Sequence, residues 1–389
     1  MEGEDSLLSV YIREWKMEEK YGLLRCTRYQ SRIPTCLYWR ARYREALKEK
    51  LPCKWIDPPP RRSKNREVNK TQVRSQYWRI SQIWRSIGIP WFQLKYWYSS
   101  LEWAHALTIS MIFDTHSHCY WDTLEPRIEE IVMNMQSQWV MKSVQIGCDI
   151  TTSMKAIVLS RGFPGIFYAT VGHHPETAQD SNDYALIEKF EALILEHRDI
   201  IVAIGETGLD YHYLDGCEWG KVPFDHTHAS EKALRQMETQ KSWWIMQWEL
   251  ACRYDLPLVI HTRDARDDTL DFMRQNGIDR CVMHCFSEDW DFASDLLDFS
   301  REIYFSFSGI LTYKNAPKIQ EAAMKIPLDR ILIETDAPFL APQPVRGRIN
   351  EPAHTSYVLE KLVELRSESP DEIERVVYEN SLRFYRING

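Results

Sequence analysis

The chain has no apolar run of about 18 residues, the length a membrane-spanning helix needs, so nothing in it reads as a transmembrane segment. It also has no Cys-x-x-Cys pair: nine cysteines, an odd number, are scattered from Cys26 to Cys285. Over 389 residues that scatter excludes a disulfide framework and reads as reduced thiols in a cytoplasmic setting. The opening residues, MEGEDSLLSVYIREWKMEEK, are acidic and lack a long apolar core, so they read as a poor secretory signal. What is present is a globular composition, 44% hydrophobic and 27% charged. The net charge of −8 is unevenly divided. Residues 1–110 hold 21 Lys+Arg against 11 Asp+Glu (+10), and the remainder holds 27 against 45 (−18). Bulk positive charge for nucleic acid therefore lies only in the N-terminal part.

Residues 1–110 also carry 8 of the 15 tryptophans. Helical patterns fit 38–50 and 73–86, and the triple proline at 58–60 ends any helix before it. No repeat is present there. This segment reads as a loosely ordered appendage, or as the product of a start placed too early with Met111 as the true first residue. Both readings rank ahead of a basic, Trp-rich arm that binds nucleic acid.

From Met111 the pattern changes. Strand-length apolar runs fall at 111–116, 142–148, 166–172, 201–206, 257–262, 280–285, 302–309 and 330–335, with helical stretches such as 186–198 and 245–255 between them. Runs apolar on both faces, alternating with helices, predict a parallel sheet covered on both sides. Eight such units in about 280 residues predict a (β/α)8 TIM barrel over 111–389. An open doubly wound sheet is the structural alternative. The longest connection, from Tyr213 to about Gln236, follows the fourth strand and is a candidate cap over the site.

The polar residues recur at the strand ends. His116 and His118 end the first run, His173 and His174 follow the third, and Glu206 ends the fourth. His261, His284 and Asp336 end the fifth, sixth and eighth. Each alone has an ordinary reading: a lone histidine on a buried strand is usually a hydrogen-bonded core residue, and an Asp after an apolar run is often a helix cap. Together His116, His118, Glu206, His261, His284 and Asp336 would bury six ionisable groups at one mouth of a barrel, which is costly without a cation. Imidazole and carboxylate suit Zn²⁺, Mn²⁺ or a similar ion. His116, His118, Glu206, His261, His284 and Asp336 exceed the three protein ligands of a single catalytic zinc, so two divalent ions are expected, with Glu206 able to bridge them.

The phrases FDTHSH, VGHHPE, IGETGLDY, LPLVIHTRDA, MHCFS, FSGIL, ILIETDAPFL and RGRINEP resemble, in order, those of the TatD family of metal-dependent deoxyribonucleases, in its subgroup that keeps His-x-His on the first strand. The resemblance implies that His116, His118, Glu206 and Asp336 hold one ion and that Glu206, His261 and His284 hold the other, with Mg²⁺ a further candidate. It implies that Asp336 takes the proton of the attacking water. His174 would meet a substrate phosphate, with Arg263, Arg346, Arg348 and Asn350 as further substrate contacts. The implied reaction is hydrolysis of DNA phosphodiesters from a 3′ end, single strands favoured. Trp121, Trp219 and Trp290 are candidates to stack bases, although packing of loops is the commoner role for each. His173 reads as a surface loop residue. The 213–236 loop is longer than the family pattern and its His226 and His228 read as ordinary loop residues. Asp122 stands further from the His-x-His than the family's acid. Two rival readings remain: an amide or lactone hydrolase on the same barrel, and an accessory protein that binds nucleic acid through its basic arm.

Overall fold

The computed structural model describes residues 111–216 and 229–388. The expectations for residues 1–110, for Trp219 and for His226 and His228 lie outside the described residues.

Eight strands pair in parallel in sequence order: β1 (Ile112–Ser117), β2 (Val140–Gln145), β3 (Phe167–Val171), β4 (Ile201–Asp210), β5 (Leu258–Arg263), β6 (Cys281–Met283), β7 (Ile303–Phe307) and β8 (Ile331–Ile333). The helices between and after them are α1 (Ile128–Ser137), α2 (Ile150–Gly162), α3 (Pro175–Ala178), α4 (Leu186–Glu196), α5 (Glu231–Tyr254), α6 (Arg266–Asn276), α7 (Trp290–Phe299), α8 (Pro317–Lys325), α9 (Thr355–Leu365) and α10 (Pro370–Phe384). This is the (β/α)8 barrel, and all eight expected strands are present. No helix among the described residues is long and apolar enough to cross a membrane.

Period-2 alternation sorts the strand residues. Ile112, Ile201, Leu258, Cys281, Ile303 and Ile331 join the large apolar cluster shared with the helices. The next residue of each strand, Phe113, Val202, Val259, Val282, Tyr304 and Leu332, joins a second cluster. Tyr378, Phe384, Tyr385 and Ile387 close that cluster at the N-terminal end of the strands, and the Tyr385 hydroxyl donates to the Thr115 carbonyl at 2.9 Å.

The ring is completed just beyond β8. Asp336 N donates to His116 O at 2.9 Å and His118 N donates to Ala337 O at 2.7 Å. Behind these bonds Thr115 Oγ1 donates to Ile333 O at 2.9 Å, and the buried Asp114 carboxyl accepts from Thr335 N at 2.8 Å. Burial pushes the Asp114 carboxyl up to about 8, against the donors of Thr335 and Ser143.

Four boundaries differ from the pattern. β6 and β8 stop at 283 and 333 because the chain turns sharply there. Cys285 and Asp336 adopt left-handed backbone with φ of 44° and 56°, which re-aims the side chains beside them. β4 runs on to Asp210, paired with Arg263 of β5. The 213–236 connection is shorter than expected, since α5 begins at Glu231 under a Ser230 cap.

Gly208 fixes the β4–β5 approach. Its φ is 130°, and a Cβ there would stand 2.1 Å from the His261 carbonyl oxygen. Gly208→Ala is expected to cost at least the ~1–3 kcal/mol of a strained backbone position. The urea midpoint should fall accordingly; an unchanged midpoint would show that the two strands can separate freely here.

Candidate metal centre

The six expected side chains meet at the C-terminal mouth of the barrel. His116 near the end of β1 and His118 just beyond it, two residues apart, point to the same side, and their Nε2 atoms lie 3.3 Å apart. Asp336 Oδ1 is 3.5 Å from His116 Nε2 and 3.4 Å from His118 Nε2. Glu206 is buried between this group and the next. Its Oε2 is 3.4 Å from His116 Nε2, and its Oε1 is 2.7 Å from His284 Nε2 and 2.8 Å from His261 Nδ1. One carboxylate thus joins two donor groups.

The far sides of the rings decide what the near sides offer. His261 Nε2 is 2.9 Å from Asp210 Oδ2, and His284 Nδ1 is 3.3 Å from Glu334 Oε1. His118 Nδ1 is 2.9 Å from the Tyr120 hydroxyl, which gives its own proton to Ile146 O, and 3.2 Å from that same carbonyl. In each case the far nitrogen faces an acceptor and carries the ring proton. The near nitrogen is then left to hold either a second proton or a cation against Glu206 and Asp336. Lone pairs aimed at buried carboxylates repel unless protons or cations lie between them. The donor set therefore fits divalent ions such as Zn²⁺ or Mn²⁺.

Ionisation follows the same geometry. Burial alone would push the Glu206 carboxyl up, but the imidazoles of His284, His174 and His116 hold it well below the usual range. Burial disfavours charge on His284, yet the Glu206 carboxylate holds its pKa well above the ordinary value. Burial acts likewise on His261, and its bonds to Asp210 and Glu206 raise it to about 9. Burial would raise Asp336, and His118 and His116 hold it below its ordinary value.

His174 differs. Its Nε2 also points inward, 3.4 Å from Glu206 Oε1, but its Nδ1 accepts from Glu176 N at 3.1 Å. The near nitrogen therefore carries a proton and can donate to an oxygen rather than hold a cation. Arg263 ends β5, half-buried, with its guanidinium 5.2 Å from the Tyr213 ring centroid. Arg346 and Arg348 are exposed, and Arg346 lies 4.5 Å over the Tyr313 ring. Asp122 is exposed beside Lys155. Trp290 packs partly buried against the apolar core, with Lys325 over its ring.

Two expectations need correction. Asn350 is fully buried and does not face a substrate: its Nδ2 donates to Thr335 O and Phe339 O, bracing the turn that carries Asp336. His173 is not a surface residue. It is buried with its ring 4.5 Å from Trp243, its backbone is held by Gln247, and burial pushes its pKa down to about 4. Asp210 and Glu334 stand inside the quoted phrases but received no role there, although they hold the far nitrogens of His261 and His284. Their signal was spacing, since each lies an even number of residues from Glu206 or Asp336 and so near the same face of an extended chain.

The family model for TatD related DNase matches residues 113–386. The chain belongs to the TatD family. Among relatives of this TatD barrel is YabD of Bacillus subtilis, named an uncharacterised metal-dependent hydrolase. It is 36% identical over 282 residues, covering 72% of this chain and all of YabD. YcfH of Escherichia coli K12, similarly named, is 33% identical over 286 residues, covering 72% of this chain and 97% of YcfH. Among solved structures, YJJV, a TatD homologue from Escherichia coli K12, superposes with a TM-score of 0.62 at 25% identity, covering 72% of this chain and all of YJJV. The TatD protein of Entamoeba histolytica shares the fold, with a TM-score of 0.59 at 18% identity. The protein is a TatD-family metal-dependent hydrolase.

Asp210→Asn would offer His261 Nε2 a donor as readily as an acceptor and release the tautomer that the carboxylate fixes. Metal affinity should fall about 10- to 100-fold, as for other carboxylates behind a metal-binding histidine; equal affinity by competition with a chelating dye would dismiss that role. Metal binding should also release protons at pH 7. Below its pKa of about 9 His261 carries a second proton on the inward nitrogen, which an ion must displace, so affinity should rise with pH towards that value. Titration calorimetry in buffers of different ionisation enthalpy reads this directly; heats independent of buffer would contradict it.

Proposed function

We propose that this TatD-family hydrolase is a divalent-metal-dependent deoxyribonuclease that releases nucleotides from the 3′ end of DNA, preferring single strands. The observation that carries the reading is Glu206, whose two oxygens face two separate donor groups at 2.7–3.4 Å. Glu206 so placed would serve both members of a pair of divalent ions held there. In this reading His116, His118 and Asp336 complete one site and His261 and His284 the other. Two divalent ions supply positive charge to activate water and to neutralise the phosphoryl oxygens.

The chain's own groups do the rest. Asp336 is held as a carboxylate at neutral pH and stands at the edge of the centre, where it accepts the proton of the attacking water. His174 donates its Nε2–H to a non-bridging phosphate oxygen. Arg263 and Arg346, each steadied against a tyrosine ring, bring positive charge to an otherwise acidic barrel and orient the anionic backbone. None of these contacts reads a base edge, which suits an enzyme that removes nucleotides in turn.

The test is full-length protein stripped of metal, resupplied with Mn²⁺ or Mg²⁺ and given 5′-labelled single-stranded DNA. Stepwise shortening from the 3′ end is expected. Glu206→Ala and Asp336→Ala should each lower the rate by more than about 100-fold, beyond the range of residues that only support a ligand, while thermal melts confirm folding. Metal-loaded protein that leaves DNA intact but cleaves an amide or lactone would replace the nuclease reading.

A further inference from the structure

Two large aromatic side chains stand exposed beside the centre, and the hydrolytic reaction gives neither a task. Trp121 is 38% and Phe339 45% exposed. Their rings meet edge to face, with centroids 5.0 Å apart, and the Trp121 ring lies 6.0 Å from the imidazole of His118. Two aromatic rings in contact beside a polar centre offer a flat apolar surface to whatever enters it.

Their placement is set by backbone. Each ring hangs three residues beyond a residue of the centre, and each turn is closed on that residue. Trp121 N donates to His118 O at 3.1 Å, and Phe339 N donates to Asp336 O at 2.8 Å. Beyond the turns, Leu124 N and Glu125 N both donate to Trp121 O at 2.8 Å, and the buried Asn350 amide donates to Phe339 O at 2.6 Å. The rings are therefore held at a fixed offset from His118 and Asp336, and the same hydrogen bonds that shape the centre shape the pair.

We propose that Trp121 and Phe339 form a stacking platform for the unpaired nucleobase next to the scissile phosphate. This rests on the phosphodiesterase reading. The ligand the site selects is a flat apolar group tethered to an anion: the cationic groups take the phosphate, and the Trp121 ring lies 6.0 Å from the His118 imidazole of the centre. Stacking accepts any base, because every base has a π-face, and it requires that the base be free of its partner strand. The platform thus supplies the preference for single-stranded ends without base-edge contacts.

Full-length protein with Mn²⁺ is given two 5′-labelled single strands of one sequence, one with normal 3′-terminal nucleotides and one with base-less spacers at the last two positions. Wild type should show a KM about 5- to 150-fold lower for the base-bearing end, the range expected of a base stacked on an aromatic ring. Trp121→Ala and Phe339→Ala should each shrink that preference through KM, with kcat within about twofold, and Trp121→Phe should restore most of it. A wild type with no preference, or a preference that survives both alanine substitutions, overturns the platform while leaving the nuclease reading intact. A wild type that cleaves neither strand overturns the nuclease reading, and the platform with it.

Discussion

Two backbone hydrogen bonds bear on nearly everything else in this barrel: Asp336 N to His116 O and His118 N to Ala337 O. They close the ring of strands and they carry three of the six converging side chains. The centre is therefore not mounted on a finished scaffold. It lies in the seam where the scaffold joins itself, so errors in closure and errors in donor geometry are the same error. Asp114 and Thr335 brace that seam from behind, with a buried carboxyl whose hydrogen bonds are all internal.

The same economy governs charge. Four imidazoles and two carboxylates, four of the six groups buried and His261 and Asp336 partly so, stand within a few ångströms, which an apolar interior does not tolerate without compensation. Asp210, Glu334 and the Ile146 carbonyl set the proton positions on three rings, and the Glu176 amide sets the opposite arrangement on His174. His118, His261 and His284 are thereby left with an inward nitrogen that an ion can take from a proton, whereas His174 keeps its proton inward. The division needs no ion to impose it; it is present in the hydrogen bonds of the protein.

The strands and the six converging residues were legible because both rest on local pattern. Buried parallel strands are apolar on both faces, and a polar residue that ends such a run in a barrel must reach the mouth. What was not legible depends on partners distant in sequence. His173 and His174 are adjacent and look alike, but Gln247 and Trp243 of α5 hold the first inside while its neighbour turns to the centre. Asn350 looked like a substrate contact because it sits in an Arg-rich loop, yet the carbonyls of Thr335 and Phe339 draw it inward. The pairing of Trp121 with Phe339 joins turns more than two hundred residues apart, and no spacing rule connects them. Asp210 and Glu334 lie between these cases: alternation placed them, and only the far nitrogens of His261 and His284 gave them work.

The seam has a consequence in time. Thr335 and Asp114 are 221 residues apart, and Tyr385 reaches back 270 residues to Thr115. Contacts of such separation form late, because the loop between them must close before they reward it. Neighbouring strand–helix units can pack in sequence as the chain emerges, but β1 holds its two histidines without their carboxylate partner until β8 arrives. A barrel built only as far as β7 therefore holds His116 and His118 without Asp336, their carboxylate partner.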